Sequence, residues 1–243
     1  AGVGKIGRIG GAGTGSAGGA IEAFISVWAT TVESETITIP CQNVGTFNAV
    51  IDWGDGTPTS TITTYNDADL AHVYADIGEH TISITGVFPN IYMFGDAANA
   101  AKLKKVLNLG TVGWTTLQNG FRGCTNLIEF TVGSTDTSAL TNVSVMFSFC
   151  TGLTSLDLSA LNTSSVTDMS FMFYSCTGLT SLDVSNFNTS SVDTMKEMFY
   201  RCSNLTNLDL SSFVTTSVTD MSAFLYQCTA LTSVDVSSFN TSS

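Results

Sequence analysis

The chain has 243 residues, 43% of them hydrophobic and 12% charged, and carries a net charge of −12. That apolar content is enough for a packed core and too much for a disordered acidic chain, and no apolar run approaches the roughly 18–20 residues of a membrane span. The acidic balance argues against nucleic acid as a partner, and two histidines, His72 and His80, leave little for a His-based active site or metal centre.

Residues 1–20 contain nine glycines and neither helical nor strand periodicity. They read as a flexible arm, ordered only against another subunit of an assembly. Residues 21–88 differ. Runs at 23–31, 36–39, 47–53 and 81–88 are rich in β-formers, and Gly54-Asp55-Gly56 between them is a tight-turn signal. The expectation is a small all-β sandwich. Residues 89–123 read as a degenerate capping repeat and junction, with Ala98, Trp114 and Leu117 in slots that later repeats fill differently.

From residue 124 to 243 a repeat dominates. Cys124, Cys150, Cys176, Cys202 and Cys228 stand 26 residues apart, and Leu127, Leu153, Leu179, Leu205 and Leu231 follow them in register. Leu156-Asp157-Leu158 alternates as a half-buried strand does. Met169, Met172, Phe173 and Cys176 fall at i, i+3, i+4 and i+7, which predicts one buried stripe of an α-helix. Ser165, Ser191 and Ser217 sit where helix caps would stand. One short parallel strand plus one helix per 26-residue repeat predicts an α/β solenoid, because a single unit cannot bury its own apolar face. Ser243 falls fifteen residues past Cys228, so the last repeat is incomplete. We expect the polypeptide to continue, or another subunit to cover that end.

The segments Leu153–Ser159, Asn162–Met169 and Met172–Cys176 resemble the BspA-like leucine-rich repeat of bacterial surface proteins, of which the Mycoplasma lipoprotein-type repeats are one form. Residues Ile51–Thr57, His72–Tyr74 and Gly78–Ile82 are similar to a PKD-type β-sandwich. The resemblance implies a leucine-rich-repeat fold, an extracellular place, and no catalytic residues. Such repeats occur in secreted bacterial adhesins and in genes of tailed phages.

Two rows of side chains are candidates for a contact face. Asp157, Asp183, Asp209 and Asp235 point outward from successive strands, and are either held by neighbouring hydroxyls or form a cation- or ligand-binding row. Tyr174, Tyr200 and Tyr226 stand two before their cysteines, and either pack flank on flank or present rings to a protein or sugar. The repeat cysteines are expected to be free and buried, since neighbours lie a full turn of the stack apart. Around Trp53-Gly54, Asp52 and Asp55 are expected to brace a hairpin turn without metal, the spacing of a calcium loop being absent. No catalytic, cofactor-binding or metal residues are expected.

The function expected is non-enzymatic: a structural and adhesive surface protein contacting host-surface protein or glycan, without membrane insertion. A phage virion is the favoured place, because no anchor is visible in these residues. A secreted or anchored bacterial adhesin is the alternative, and a glycan-active enzyme the more distant one. Homo-oligomers, joined through the arm and the open end, would fit.

Overall fold

A computed structural model describes residues 22–240. The expected arm at 1–20 lies outside the described residues.

The run Phe-Ile-Ser-Val-Trp-Ala-Thr forms β1 (Phe24–Thr30) and buries Phe24, Val27 and Trp28. Burial on both faces marks a central strand. On one side β1 pairs antiparallel with β6 (Gly78–Val87), and on the other antiparallel with β7 (Leu103–Asn108). Beyond β6 lie β3 (Asn48–Asp52) and β4 (Ser60–Ile62); beyond β7 lie β8 (Glu129–Thr131) and β9 (Ser155–Asp157), now in parallel. The seven strands therefore run β4-β3-β6-β1-β7-β8-β9, a single sheet that passes from the N-terminal region into the repeats. β2 (Glu35–Thr38) and β5 (Ala71–Tyr74) form a separate antiparallel pair whose Ile37 and Tyr74 share a core with Ile51, Trp53 and Ile82. The Gly54 turn sits tightly against this core. At φ 78° it occupies the left-handed region, and a Cβ there would strike the Thr81 carbonyl.

After β9 a separate two-stranded parallel sheet follows, of the two-residue strands β10 (Ser181–Leu182) and β11 (Asn207–Leu208). A second parallel line of bridges links Asn142, Asp168, Thr194 and Asp220. Each 26-residue repeat is thus one coil laid against the next.

The α/β leucine-rich-repeat solenoid expected from the sequence is overturned. The regular elements among the described residues are nearly all short β-strands joined by turns, and no repeat carries a helix; the α-helix among them is the single turn Ala97–Ala100, ahead of the coils. The reason lies in where the backbone N–H groups go. Across 169–176 the N–H groups of Met172, Tyr174 and Cys176 donate to carbonyls three residues back. Those of Met169, Phe171, Phe173 and Ser175 donate to Thr194, Lys196, Met198 and Tyr200 on the next coil. Ser170 N–H finds Asp168 Oδ1 at 2.9 Å. All eight donors are satisfied, with half of them joining coils, whereas a helix would take each of them for itself.

The result is a run of overlapping turns closing at Met169–Met172, Phe171–Tyr174 and Phe173–Cys176, the first and last of which begin four residues apart. Turns begun four residues apart reproduce i, i+3, i+4, i+7 burial, so Met169, Met172, Phe173 and Cys176 all have no exposed surface without any helix. Their third residues, Phe171 and Ser175, sit at φ 57°. The same two slots are left-handed in every coil. The serines expected to cap helices have none to cap; Ser191 and Ser217 hydroxyls donate instead to the Ser164 and Ser190 carbonyls of the preceding coil.

Candidate functional site

The acidic row is built into corners of the coil. Ser159 donates to Asp157 Oδ1 through its N–H at 3.0 Å and its hydroxyl at 2.7 Å. Ser185 does the same for Asp183 at 3.0 and 2.6 Å. Ser211 and Ser237 N–H groups reach Asp209 and Asp235, each at 2.9 Å. These local bonds fix the turn that follows each aspartate. They also hold all four carboxyls below the usual range, although neighbouring carboxylates push Asp157 and Asp209 the other way. Hydrogen bonding to the charged form outweighs like-charge repulsion here. Similar corners recur at Asn162, Asn188, Asp168 and Asp220, each accepting from the serine two residues on.

The tyrosine row lies on the turn run. Tyr174 stacks on Tyr200 with ring centres 4.7 Å apart, and Tyr200 on Tyr226 at 5.2 Å. Tyr226 is 56% exposed, while Tyr174 and Tyr200 are half-buried. Among the described residues no hydrogen bond, ion pair or ring contact joins this row to the aspartates, so the two rows are separate edges of the coil.

Beside Tyr174 opens a groove of about 380 Å³, lined among others by Phe94, Arg122, Phe149, Phe171, Tyr174 and Glu197. Phe94 is 55% exposed and Phe149 41%. The Arg122 guanidinium lies 4.5 Å from the centre of the Phe94 ring and 5.8 Å from that of Phe149. Phe149 meets Tyr174 edge to face at 5.1 Å, and Lys196 Nζ stands 6.0 Å over Phe171. Of these residues the sequence reading singled out Tyr174 alone. The signal it passed over is the pair of slots that do not repeat: Asn119, Val145, Phe171, Glu197 and Ala223 in one, Gly123, Phe149, Ser175, Arg201 and Gln227 in the other. These are the positive-φ positions of the coils. These slots vary from coil to coil: Phe149, Arg201, Ala223 and Gln227 are exposed, Val145, Phe171 and Glu197 half-buried, and Asn119 and Ser175 buried, so no single burial demand holds them to a repeat.

The cysteines are free, and the five in the coils are buried. Cys150, Cys176, Cys202 and Cys228 each donate Sγ–H to the carbonyl of a Phe on the preceding coil, at 2.9–3.0 Å. Burial raises every one of these thiols, Cys202 to about 12. In the N-terminal region Asp52 accepts from Gly54 N–H at 3.0 Å, and Asp55 accepts from the Thr57 hydroxyl at 2.6 Å and contacts His72 Nε2 at 2.7 Å. His72 stacks on Trp53 at 4.9 Å. Among the described residues no group of three or more His, Cys, Asp or Glu is placed to hold a metal ion.

Residues 90–182 and 173–243 match the family described as "Mycoplasma protein of unknown function, DUF285", and together the matches span well over half of the chain. The chain belongs to this family. The DUF285 segments contain every lining residue of the groove as well as the Asp and Tyr rows. No curated protein and no solved structure matches the chain.

Proposed function

We propose that this DUF285 chain is a non-enzymatic contact protein of an outer surface, carried on a phage virion or on a bacterial cell. The stacked coils would meet a host protein or glycan, and residues 21–88, similar to a PKD-type unit, would serve as their platform. The observation that carries this reading is the aromatic strip on the turn face. Phe94, Phe149 and Tyr226 are large rings left open to solvent on a surface otherwise dominated by Ser, Thr, Asn and Asp. Open aromatic surface of that kind marks a place where another molecule sits. The BspA-like character of the repeats points the same way.

The test is binding of the fluorescently labelled full chain to intact candidate host cells, with Phe149→Asn/Tyr226→Ala as the comparison. Saturable binding by the parent, reduced at least tenfold in the double variant, supports the reading. Binding that the variant retains in full removes the strip from it. For the place of the protein, its peptides should be recovered from purified particles or from the shaved cell surface, and recovery from the cytosolic fraction alone overturns it.

A further inference from the structure

The groove has a direction, a charge and a backbone that together narrow what it takes. Two columns of side chains border it along the stack: Asn119, Val145, Phe171 and Glu197 on one, Arg122, Ser148 and Tyr174 on the other. Four coils at the usual strand spacing of about 4.8 Å make it roughly 14–15 Å long. Phe94 stands at the end nearest the first coil.

The charge is the unusual part. In a chain of net charge −12, the residues after Lys105 contain three cations, Arg122, Lys196 and Arg201. All three belong to the turn run: Arg122 lines the groove, Lys196 lies over its Phe171, and Arg201 continues the column of Phe149. None of them forms an ion pair among the described residues, where the pairs are His72–Asp55, Lys102–Glu35 and Lys105–Glu129. Arg122 on the first coil and Lys196 on the fourth are three coil spacings apart, roughly 14–15 Å. A ligand satisfying both must carry negative charge at more than one point along its length. Between them it meets aromatic rings, and it also meets Glu197, which accepts hydrogen bonds and repels a uniform polyanion.

The backbone decides between a peptide and a sugar chain. A peptide added as a strand needs free main-chain donors and acceptors. Along this face the N–H groups of Val145, Phe147, Phe149, Phe171, Phe173 and Ser175 already donate to the next coil. Recognition is left to rings, guanidinium, ammonium and carboxylate. Rings suit the apolar faces of pyranoses, Glu197 and Ser148 suit their hydroxyls, and Arg122 suits a carboxylate.

We propose that the groove binds a linear acidic oligosaccharide, its carboxylated sugars seated against Arg122 and Lys196 and its ring faces against Phe149, Phe171 and Tyr174. This deepens the surface-contact reading and rests on it. The test applies the labelled full chain to an array of uronate and sialic-acid oligosaccharides, their neutral or methyl-esterified counterparts, and poly-glutamate. Binding is expected to the acidic sugars, at least tenfold weaker to the neutral forms and to poly-glutamate. Arg122→Gln and Phe149→Asn should each weaken it at least tenfold; Asn tolerates the positive φ at 149, so the turn is kept. Circular dichroism checks that both variants fold. Equal binding to poly-glutamate, preference for neutral sugars, silence across the acidic sugars, or binding unchanged in the folded variants overturns the proposal. A silent array beside groove-dependent binding to host cells fails the sugar and keeps the contact face, and a peptide or protein is then the occupant. Failure of both fails the wider reading as well.

Discussion

At the scale of single residues, the turn run is held in a conformation its own sequence resists. Left-handed φ costs a non-glycine residue roughly 1–2 kcal/mol, yet Val145, Phe149, Phe171 and Ala223 adopt it at 52–62°. The first coil uses the favourable residues, Asn119 and Gly123, and later coils do not. Ala223 is the cleanest place to measure the cost, since its side chain is one exposed methyl. Ala223→Gly should be neutral to stabilising by up to about 1 kcal/mol in urea unfolding, the extra flexibility of Gly in the unfolded chain offsetting part of the relief. A loss of stability would place the strain elsewhere.

The thiols make a second residue-scale case. The five in the coils are buried and raised above their ordinary titration range, and Cys150, Cys176, Cys202 and Cys228 are each bonded to a Phe carbonyl one coil back. Native protein should therefore expose at most Cys41 to an aromatic disulfide reagent, and unfolded protein all six. Cys176→Ala, which removes one thiol–carbonyl bond and leaves a small void, should cost about 1–3 kcal/mol.

The carboxyls give a third. Asp183 is held low first by the Ser185 hydroxyl and then by the Ser185 N–H. Ser185→Ala should raise it toward the ordinary 3.8, as followed by carboxyl NMR titration. Glu35 is held at about 2, chiefly by the Thr31 N–H at 2.6 Å. A carboxyl whose folded value is depressed stabilises the fold above its unfolded value and loses that contribution as pH falls through the folded one. The contribution of Glu35 should thus be constant above about pH 4.5 and drain away toward pH 2, a loss that Glu35→Gln should not show. Urea midpoints that fall equally in the two proteins on acidification would contradict this.

At the scale of elements, the register of the repeats was legible because burial enforces it. Leu127, Leu153 and Leu205, and the phenylalanines at 121, 147, 173 and 199, recur at one spacing and are all fully buried. The helix was not legible correctly, since an apolar stripe reports which residues face inward and leaves the donors' destinations open. Overlapping turns, every second one of them facing the core, produce the same stripe. What distinguishes the two is the next coil's carbonyls, a partner 25 residues away. The groove escaped notice for the opposite reason: it is made from slots that carry no pattern. Because coils meet only their neighbours through matched slots, removing residues 151–176, one full coil of 26, should leave a folded protein with somewhat lower stability. Removing 152–176 instead shifts every later residue by one, turning strand side chains to the wrong face. Circular dichroism and thermal melting of the two deletions should differ accordingly.

At the scale of the whole molecule, the N-terminal β region and the coils cannot be treated as beads on a string. β1 is the seam: β6 lies on one side of it and β7, the first strand of the parallel series, on the other. The packing follows the hydrogen bonds. Phe24 of β1 meets Trp114 edge to face at 5.5 Å, and Trp114 Nε1–H donates to the Leu109 carbonyl at 2.8 Å inside the same buried cluster. Removing residues 1–88 would strip β7 of its antiparallel partner and open Leu103, Val106, Leu109 and Trp114, all of them buried in the intact chain. An apolar face and a bare strand edge on one side of the sheet invite association with other chains. A chain beginning at residue 89 should therefore aggregate or melt well below the full chain, with Trp114 emission shifted to the red. The full chain should unfold in one transition, with tryptophan emission and tyrosine near-ultraviolet dichroism changing together, because Trp28, Trp53 and Trp114 report the seam and the tyrosine row reports the far coils. Two separated transitions, or a 89–243 chain as stable and monomeric as its parent, would show that the coils stand without β1.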